Sequence, residues 1–309
     1  MNIKKITGII SIVLIAATFI LSAYLKLEPL EPFKFVLAKQ LHIKSWWLVE
    51  VLSRLIIGTE LFLGISLLSF ILSKKIIRYT AWFLVILSVY LIYVWIFIGE
   101  AEDCGCFGEY LHLSIKESIL KNILLLALLY FAYKWSPVNI QFKYASFTVI
   151  STLILSLAFP WIFNAPDKMY ENPYDNEKGK YLNVQILNKF NNGYPADSLK
   201  TGKKIVCFFS TSCKFCAYSA KKITLFQKNY HINLPVYYVF WGDDESLKRF
   251  WEKSESFRFP YQLAQPDPFF ALSGNQLPAI YFLENGIVKA KHGYRTLDDQ
   301  DILSFISEK

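Results

Sequence analysis

Lys203-Lys-Ile-Val-Cys-Phe-Phe-Ser-Thr-Ser-Cys-Lys-Phe-Cys216 is the stretch on which the reading of this chain turns. Residues 203–210 form an almost continuous apolar run after a Thr-Gly turn, the pattern of a strand buried on both faces. Thr211-Ser212 follows. Cys213-Lys-Phe-Cys216 then opens a helical stretch with Ala217, Ala220, Ile223 and Phe226 on one face. Disulfide exchange needs this order, because the attacking species is a thiolate. A helix N-terminus stabilises it with unpaired N–H groups and the positive end of the dipole. Lys214 adds a nearby positive charge, and the two-residue spacer lets one thiol reach back to resolve a mixed disulfide made by the other.

Further strands are expected at Pro235–Trp241 and at Ala279–Leu283, the latter joined to Ile287–Ala290 through Asn285-Gly286, a strong hairpin signal. Leu277-Pro278 stands just ahead of the hairpin, where a proline is a candidate for a cis bond beside an active-site disulfide. An amphipathic helix from about Leu297 to Ser307 closes the chain.

The half before this region is different in kind. The chain has 309 residues, 54% of them hydrophobic, and the apolar residues are concentrated in five runs: Ile6–Leu25, Trp47–Leu72, Thr80–Ile98, Ile119–Tyr133 and Phe147–Phe163. The first three match the ~20 residues that cross a hydrocarbon core, and the last two are short but acceptable. The first run follows Met1-Asn-Ile-Lys-Lys as a signal peptide would, yet its apolar core is long and no small-x-small cleavage site follows, so it reads as a retained span. The net charge of +8 is spread through loops with no dense basic stripe, which argues against nucleic acid.

Charge orients the spans. Lys4 and Lys5 precede the first, Lys74, Lys75 and Arg78 lie between the second and third, and Lys134 and Lys143 flank the turn between the fourth and fifth, all cytoplasmic by the positive-inside rule. The loop Gly99-Glu-Ala-Glu-Asp-Cys-Gly-Cys-Phe-Gly-Glu109 is acidic and reads as external. The first external loop fits less well, with Lys26, Lys34, Lys39 and Lys44 against Glu28 and Glu31. Five spans place the C-terminal half outside, so Cys104/Cys106 and Cys213/Cys216 share the side on which disulfides persist.

The strand, CxxC, helix, strand, proline and hairpin over Tyr181 to the end resemble the thioredoxin fold. The long interval between Cys216 and Pro278 is similar to membrane-anchored TlpA-type thiol-disulfide proteins. The resemblance implies Cys213 as nucleophile, Cys216 as resolving thiol and Pro278 as the cis-proline. Two positions depart from it. Ser212 stands where the family has an aromatic residue, and Cys207 falls where the family carries a buried carboxylate that moves a proton off the resolving thiol. Cys207 reads either as a small buried strand residue or as a third redox thiol. A zinc site at Cys213/Cys216 lacks two ligands, since His231 and His292 are not at metal spacing.

In the first half, Ser22…Lys26, Glu60-x-x-x-Gly64 and Asp103-Cys-Gly-Cys-Phe-Gly108 together resemble the MauE/DoxX family of four-helix membrane proteins tied to extracytoplasmic redox work, over residues 1 to about 135. A disulfide between Cys104 and Cys106 closes a tight ring that Gly105 makes accessible, and strain would make it labile. An inert structural bridge is the bland alternative. Glu60 lies roughly 20 Å along its helix from Trp46, near mid-membrane, where a carboxylate is either functional or simply held by a neighbouring span. Glu50 and Arg54 are spaced to pair, Trp46-Trp47 is an interfacial anchor, and Ser114-x-x-Glu117 fits a capping box. The five runs hold no cysteine, which removes a thiol relay across the bilayer and ranks a mechanism like that of vitamin K epoxide reductase homologues low.

The expectation is therefore a membrane helical bundle (1–135), a fifth linking span (136–164) and an extracytoplasmic α/β thioredoxin-like domain (165–309), in a bacterial inner membrane. It would exchange electrons between Cys213/Cys216, the Cys104/Cys106 loop and cysteine-containing client proteins, with no metal and no cofactor beyond its cysteines. A non-catalytic assembly factor, or a quinone- or small-molecule-linked protein centred on Glu60, is the alternative.

Overall fold

A computed structural model describes residues 3–71, 73–99, 113–135, 139–170, 172, 175–189, 196–274 and 276–307. Contacts divide the chain into two units: Met1–Ile43 with Trp47–Ala165, and Lys44–Trp46 with Pro166–Lys309.

The first unit is helical: α1 (Ile3–Leu27), α2 (Glu31–Gln40), α3 (Trp46–Ser69), α4 (Ser73–Phe97), α5 (Ile115–Trp135) and α6 (Ala145–Phe163). Among the described residues, α1, α3, α4 and α6 are long and apolar enough to cross a membrane. The expected fourth span, α5, is a 21-residue helix that packs on α1 and α4 but carries Lys116, Glu117, Lys121 and Lys134. Its first turn is held by the capping box read from sequence: the Glu117 carboxylate accepts from the Ser114 N–H at 2.8 Å, and the Glu117 N–H donates to Ser114 Oγ at 3.3 Å.

Apolar side chains segregate to two sides of these helices. Ile12, Ile15 and Phe19 of α1 meet Phe62, Leu63 and Leu67 of α3, Ile77 and Leu84 of α4, and Leu125 and Leu129 of α5. Trp82, Ile86, Leu155 and Ile162 point outward, as side chains facing lipid would. Gly64 allows α1 and α3 to approach, since a Cβ there would lie 2.6 Å from Ile20 Cγ1 and 3.1 Å from the Ala16 carbonyl. The segment after α1, expected as a plain loop, instead forms α2. Its Glu31 and Lys34 are buried rather than solvated.

The second unit is a five-stranded sheet in the order β3-β2-β1-β4-β5, with β1 (Lys203–Ser210), β2 (Val236–Trp241), β3 (Tyr261–Leu263), β4 (Ala279–Glu284) and β5 (Ile287–His292). β1 runs parallel to β2 and antiparallel to β4, and β4 pairs antiparallel with β5. The helices are α7 (Lys214–Tyr230), α8 (Asp244–Ser254), α9 (Pro266–Ser273) and α10 (Asp299–Ser307). The α7 crossover between two parallel strands, followed by an antiparallel hairpin, is the thioredoxin-like arrangement. Asn285 and Gly286 both have positive φ, at 52° and 79°, the geometry of the tight turn that Asn-Gly favours.

Strand alternation sorts the core into two layers. Val206, Phe208, Tyr237, Val239, Tyr281 and Leu283 pack with Phe269 and Leu272 on one face. Cys207, Phe209, Tyr238 and Phe240 occupy the other, where Phe209 meets Phe250 of α8 at 6.1 Å and Phe240 meets Trp251 at 5.3 Å.

Candidate functional site

β1 ends at Ser210 and the chain turns over Thr211-Ser212 into α7, so Cys213 becomes the residue that caps the helix. Its backbone is extended (φ −80°, ψ 118°), and its sulfur accepts the Cys216 N–H at 3.3 Å. A sulfur in this position does what a capping serine oxygen does and gains from becoming an anion. Cys213 is half-buried and Cys216 fully buried, and both are free thiols, as is Cys207.

The two thiols are driven apart in acidity. A hydrogen bond from the Cys216 thiol, with the backbone N–H groups of Cys216 and Phe215, brings Cys213 down to about 7 against the burial that opposes it. Burial pushes Cys216 well up, and the hydrogen bond that it gives to Cys213 pushes the same way. Cys213 alkylation by iodoacetamide is therefore expected to rise with a midpoint at about 7, the value its surroundings set, while Cys216 and Cys207 stay unmodified in the folded protein. Mass mapping of the labelled peptides across pH checks this.

Neighbouring loops fix the turn that presents Cys213. The Thr211 N–H donates to the Trp241 carbonyl at 3.0 Å, and the Thr211 hydroxyl donates to Ser246 Oγ at 2.8 Å. Ser246 belongs to the capping box of α8, where its N–H donates to Asp243 Oδ1 at 2.7 Å. Gly242 is required at this junction. Its φ is +152°, and a Cβ would lie 2.0 Å from Thr211 Oγ1. The Leu277–Pro278 peptide is cis and directly precedes Ala279, which pairs with Phe208, so it lies at the same end of the sheet as Cys213.

Lys214 places its ammonium 5.7 Å from the centre of the Tyr218 ring, and Phe215 projects with 45% of its surface exposed. Phe215 also packs on Tyr294 at 5.6 Å. Behind this surface, Lys222 of α7 is fully buried 3.6 Å from Asp167 and 5.4 Å from the Tyr294 ring centre, and Arg295 approaches Asp167 at 3.9 Å. Sequence reasoning missed this group. Its members are 55 and 73 residues apart, and no local pattern links Asp167 to Lys222 or Lys222 to Arg295.

Glu60 sits in the helical unit, away from solvent. Lys26 donates to Glu60 Oε1 at 2.5 Å and to Ser22 Oγ at 3.0 Å, and Ser22 donates to Glu60 Oε2 at 3.2 Å. Lys121 of α5 is close enough to feel both charges. A second buried group joins Lys34 to Glu50 at 3.1 Å and to Glu31 at 3.9 Å. Arg54 is 4.0 Å from the Glu50 carboxylate and donates to the Asn164 carbonyl. Cys104, Gly105 and Cys106 lie outside the described residues. Among the described residues, no three His, Cys, Asp or Glu side chains gather as a metal site would require.

Residues 3–134 match the family model described as methylamine utilisation protein MauE. Along 89% of its length the chain is 28% identical to protein TlpB of Flavobacterium psychrophilum, covering 88% of that protein. Among solved structures, the thioredoxin domain of a thiol-disulfide oxidoreductase from Bacteroides vulgatus is 19% identical, with 36% of this chain and 80% of that one covered at a TM-score of 0.29. A protein from Chlorobium tepidum, described as a putative thiol:disulfide interchange protein DsbE, is 21% identical, with 35% and 81% covered at a TM-score of 0.30. The chain thus joins an N-terminal region that matches the MauE model to a C-terminal part of thioredoxin-like fold, and is similar to TlpB over most of its length.

Proposed function

We propose that this protein is a membrane-anchored thiol-disulfide oxidoreductase. The observation that carries the reading is the pair itself: a half-buried Cys213 capping α7 with its acidity raised, above a fully buried Cys216 that hydrogen-bonds to it. Cys213 exchanges with the client's sulfur and Cys216 resolves the mixed disulfide. Lys214 and the projecting Phe215 border the nucleophile, and Pro278, directly before β4, lies at the same end of the sheet. The clients are cysteine-containing proteins on the extracytoplasmic side, by the loop charges, with the N-terminus in the cytoplasm. Cys104 and Cys106 form a second exchanging pair on that side, for which the sequence Cys-Gly-Cys and the acidic loop are the support.

A Cys216→Ser protein tests this. It retains the attacking thiol and loses the resolving one, so it is expected to accumulate mixed disulfides through Cys213 in cells, with Cys104 or Cys106 and with clients. Recovery by mass spectrometry of the same amount from a Cys213→Ser, Cys216→Ser control would overturn the reading.

The buried Lys26–Glu60 pair with Lys121 beside it favours one further reading, in which the MauE domain handles a quinone or another small molecule. A Lys26→Met, Glu60→Leu protein that folds but no longer turns over would support it.

A further inference from the structure

Cys216 must lose a proton before it can attack, and its surroundings supply few places to put it. Its side chain is fully buried in the first turn of α7, without direct contact to water. Among the described residues, two titratable side chains act on its sulfur, Cys213 and Cys207. Cys207 rises from β1 beneath α7 and is itself fully buried. Its register neighbour on β2 is Tyr238, fully buried, whose hydroxyl makes no hydrogen bond among the described residues. On β4 the residue in register is Ile280, beside which β5 carries the buried His292, held through Nδ1 at the Thr296 carbonyl and against the Phe282 ring. Helix α8 contributes Phe250 and Trp251 to the same face. A thiol and a phenol kept neutral by burial are poor proton acceptors near neutral pH. The Cys213 thiolate, which is a good one, disappears when Cys213 is bonded to a client.

We infer that Cys216 resolves the mixed disulfide with no proton acceptor beside it among the described residues, so that the covalent Cys213–client intermediate is long-lived and an acceptor placed at position 207 would shorten its life. The inference rests on the roles given above to Cys213 and Cys216. The steps balance as follows. The Cys213 thiolate attacks a client disulfide, one client sulfur leaves as a thiolate, and the other stays bonded to Cys213. Cys216 then gives its proton to solvent, and its thiolate attacks the Cys213 sulfur. The client sulfur leaves and takes up a proton. The client gains two electrons and Cys213/Cys216 becomes the disulfide. Run backwards, the same step expels Cys216 as a buried thiolate with no donor to quench it. The barrier therefore applies in whichever direction electrons flow. While resolution waits, any incoming thiolate can attack the client sulfur and regenerate the Cys213 thiolate. A second cysteine of the same client does so with no net oxidation. This weights the chemistry toward clients that carry two or more cysteines.

The test uses the full-length protein in detergent with Cys104→Ser and Cys106→Ser, so that one CxxC reacts. Reduced protein is mixed with oxidised glutathione, quenched in acid, and weighed intact. The glutathione adduct on Cys213 is expected to accumulate near neutral pH, and its decay to speed up by close to tenfold per pH unit. Cys207→Asp supplies an acceptor and is expected to quicken the decay by about tenfold or more while flattening the pH profile. Cys207→Ala is expected to leave it unchanged within about twofold. Fast, pH-independent decay in the parent overturns the inference, and so does a slower decay in Cys207→Ala, which would make Cys207 a working acceptor or a third redox thiol. Should Cys207→Asp fail to fold, the parent's pH slope and the alanine variant still decide. Adding Cys216→Ser separates the two readings. An adduct trapped there but absent from the parent sinks this inference alone, and an adduct absent from both sinks the assignment of Cys213 as well.

Discussion

A Cys213→Ser protein is expected to lose at least about a thousandfold in disulfide exchange with a cysteine-containing client, because the loss is of the nucleophile itself and not of its surroundings. The thiol here sits at about 7, so a large share of it is thiolate at neutral pH. A serine hydroxyl at the same cap would accept the same N–H and leave the helix intact, since serine is a preferred capping residue. Stability should therefore change little while the rate collapses, and that contrast gives the experiment its force. Exchange with a dye-labelled disulfide, measured beside a thermal melt of the same preparation, reads both. A variant that melts where the parent does and keeps more than about a tenth of the rate would place the chemistry on another thiol.

What could be read from the chain beforehand follows the range of the interactions involved. The strand-CxxC-helix run, the Asn285-Gly286 turn and the apolar helices are local patterns, and they were legible because hydrophobic periodicity and turn chemistry act within a few residues. The charge ledger of the first external loop was not. Lys26 and Lys34 counted there as loop cations, yet they are 3% and 1% exposed and paired with Glu60 and Glu50. Neither orients a loop by the positive-inside rule, because neither is in one. The two lysines that remain, Lys39 and Lys44, stand against Glu28. Treating buried pairs as surface charge accounts for part of the positive excess read in that loop. Partners 34 and 16 residues away supply no local signal. The brace of Thr211 on Ser246 and the Gly242 junction were invisible for the same reason, although they set how Cys213 is presented.

Glu60→Leu is expected to destabilise the helical unit by about 3–5 kcal/mol, the scale on which a buried ion pair fails when one partner is removed. The reasoning depends on which charges remain. Lys26 and Glu60 are both nearly sealed from solvent, and Ser22 bridges them. With the carboxylate gone, Lys26 loses its ion-pair partner, and the repulsion between Lys26 and Lys121 is no longer offset by Glu60. Lys26→Met is the milder change, because Lys121 is already within reach of Glu60 and can take over part of its neutralisation. The double replacement Lys26→Met, Glu60→Leu returns the local charge to its original sum and removes the desolvated pair. It should recover most of what Glu60→Leu loses. Midpoints of unfolding in a mixed-micelle titration for the parent, both single variants and the double variant close the cycle. A Glu60→Leu protein as stable as the parent would mean that the pair is solvated in the membrane. A double variant no better than Glu60→Leu would mean that the carboxylate stabilises through Ser22 rather than through Lys26. The expected order, with Glu60→Leu weakest and Lys26→Met between it and the double variant, follows from three charges sharing one site.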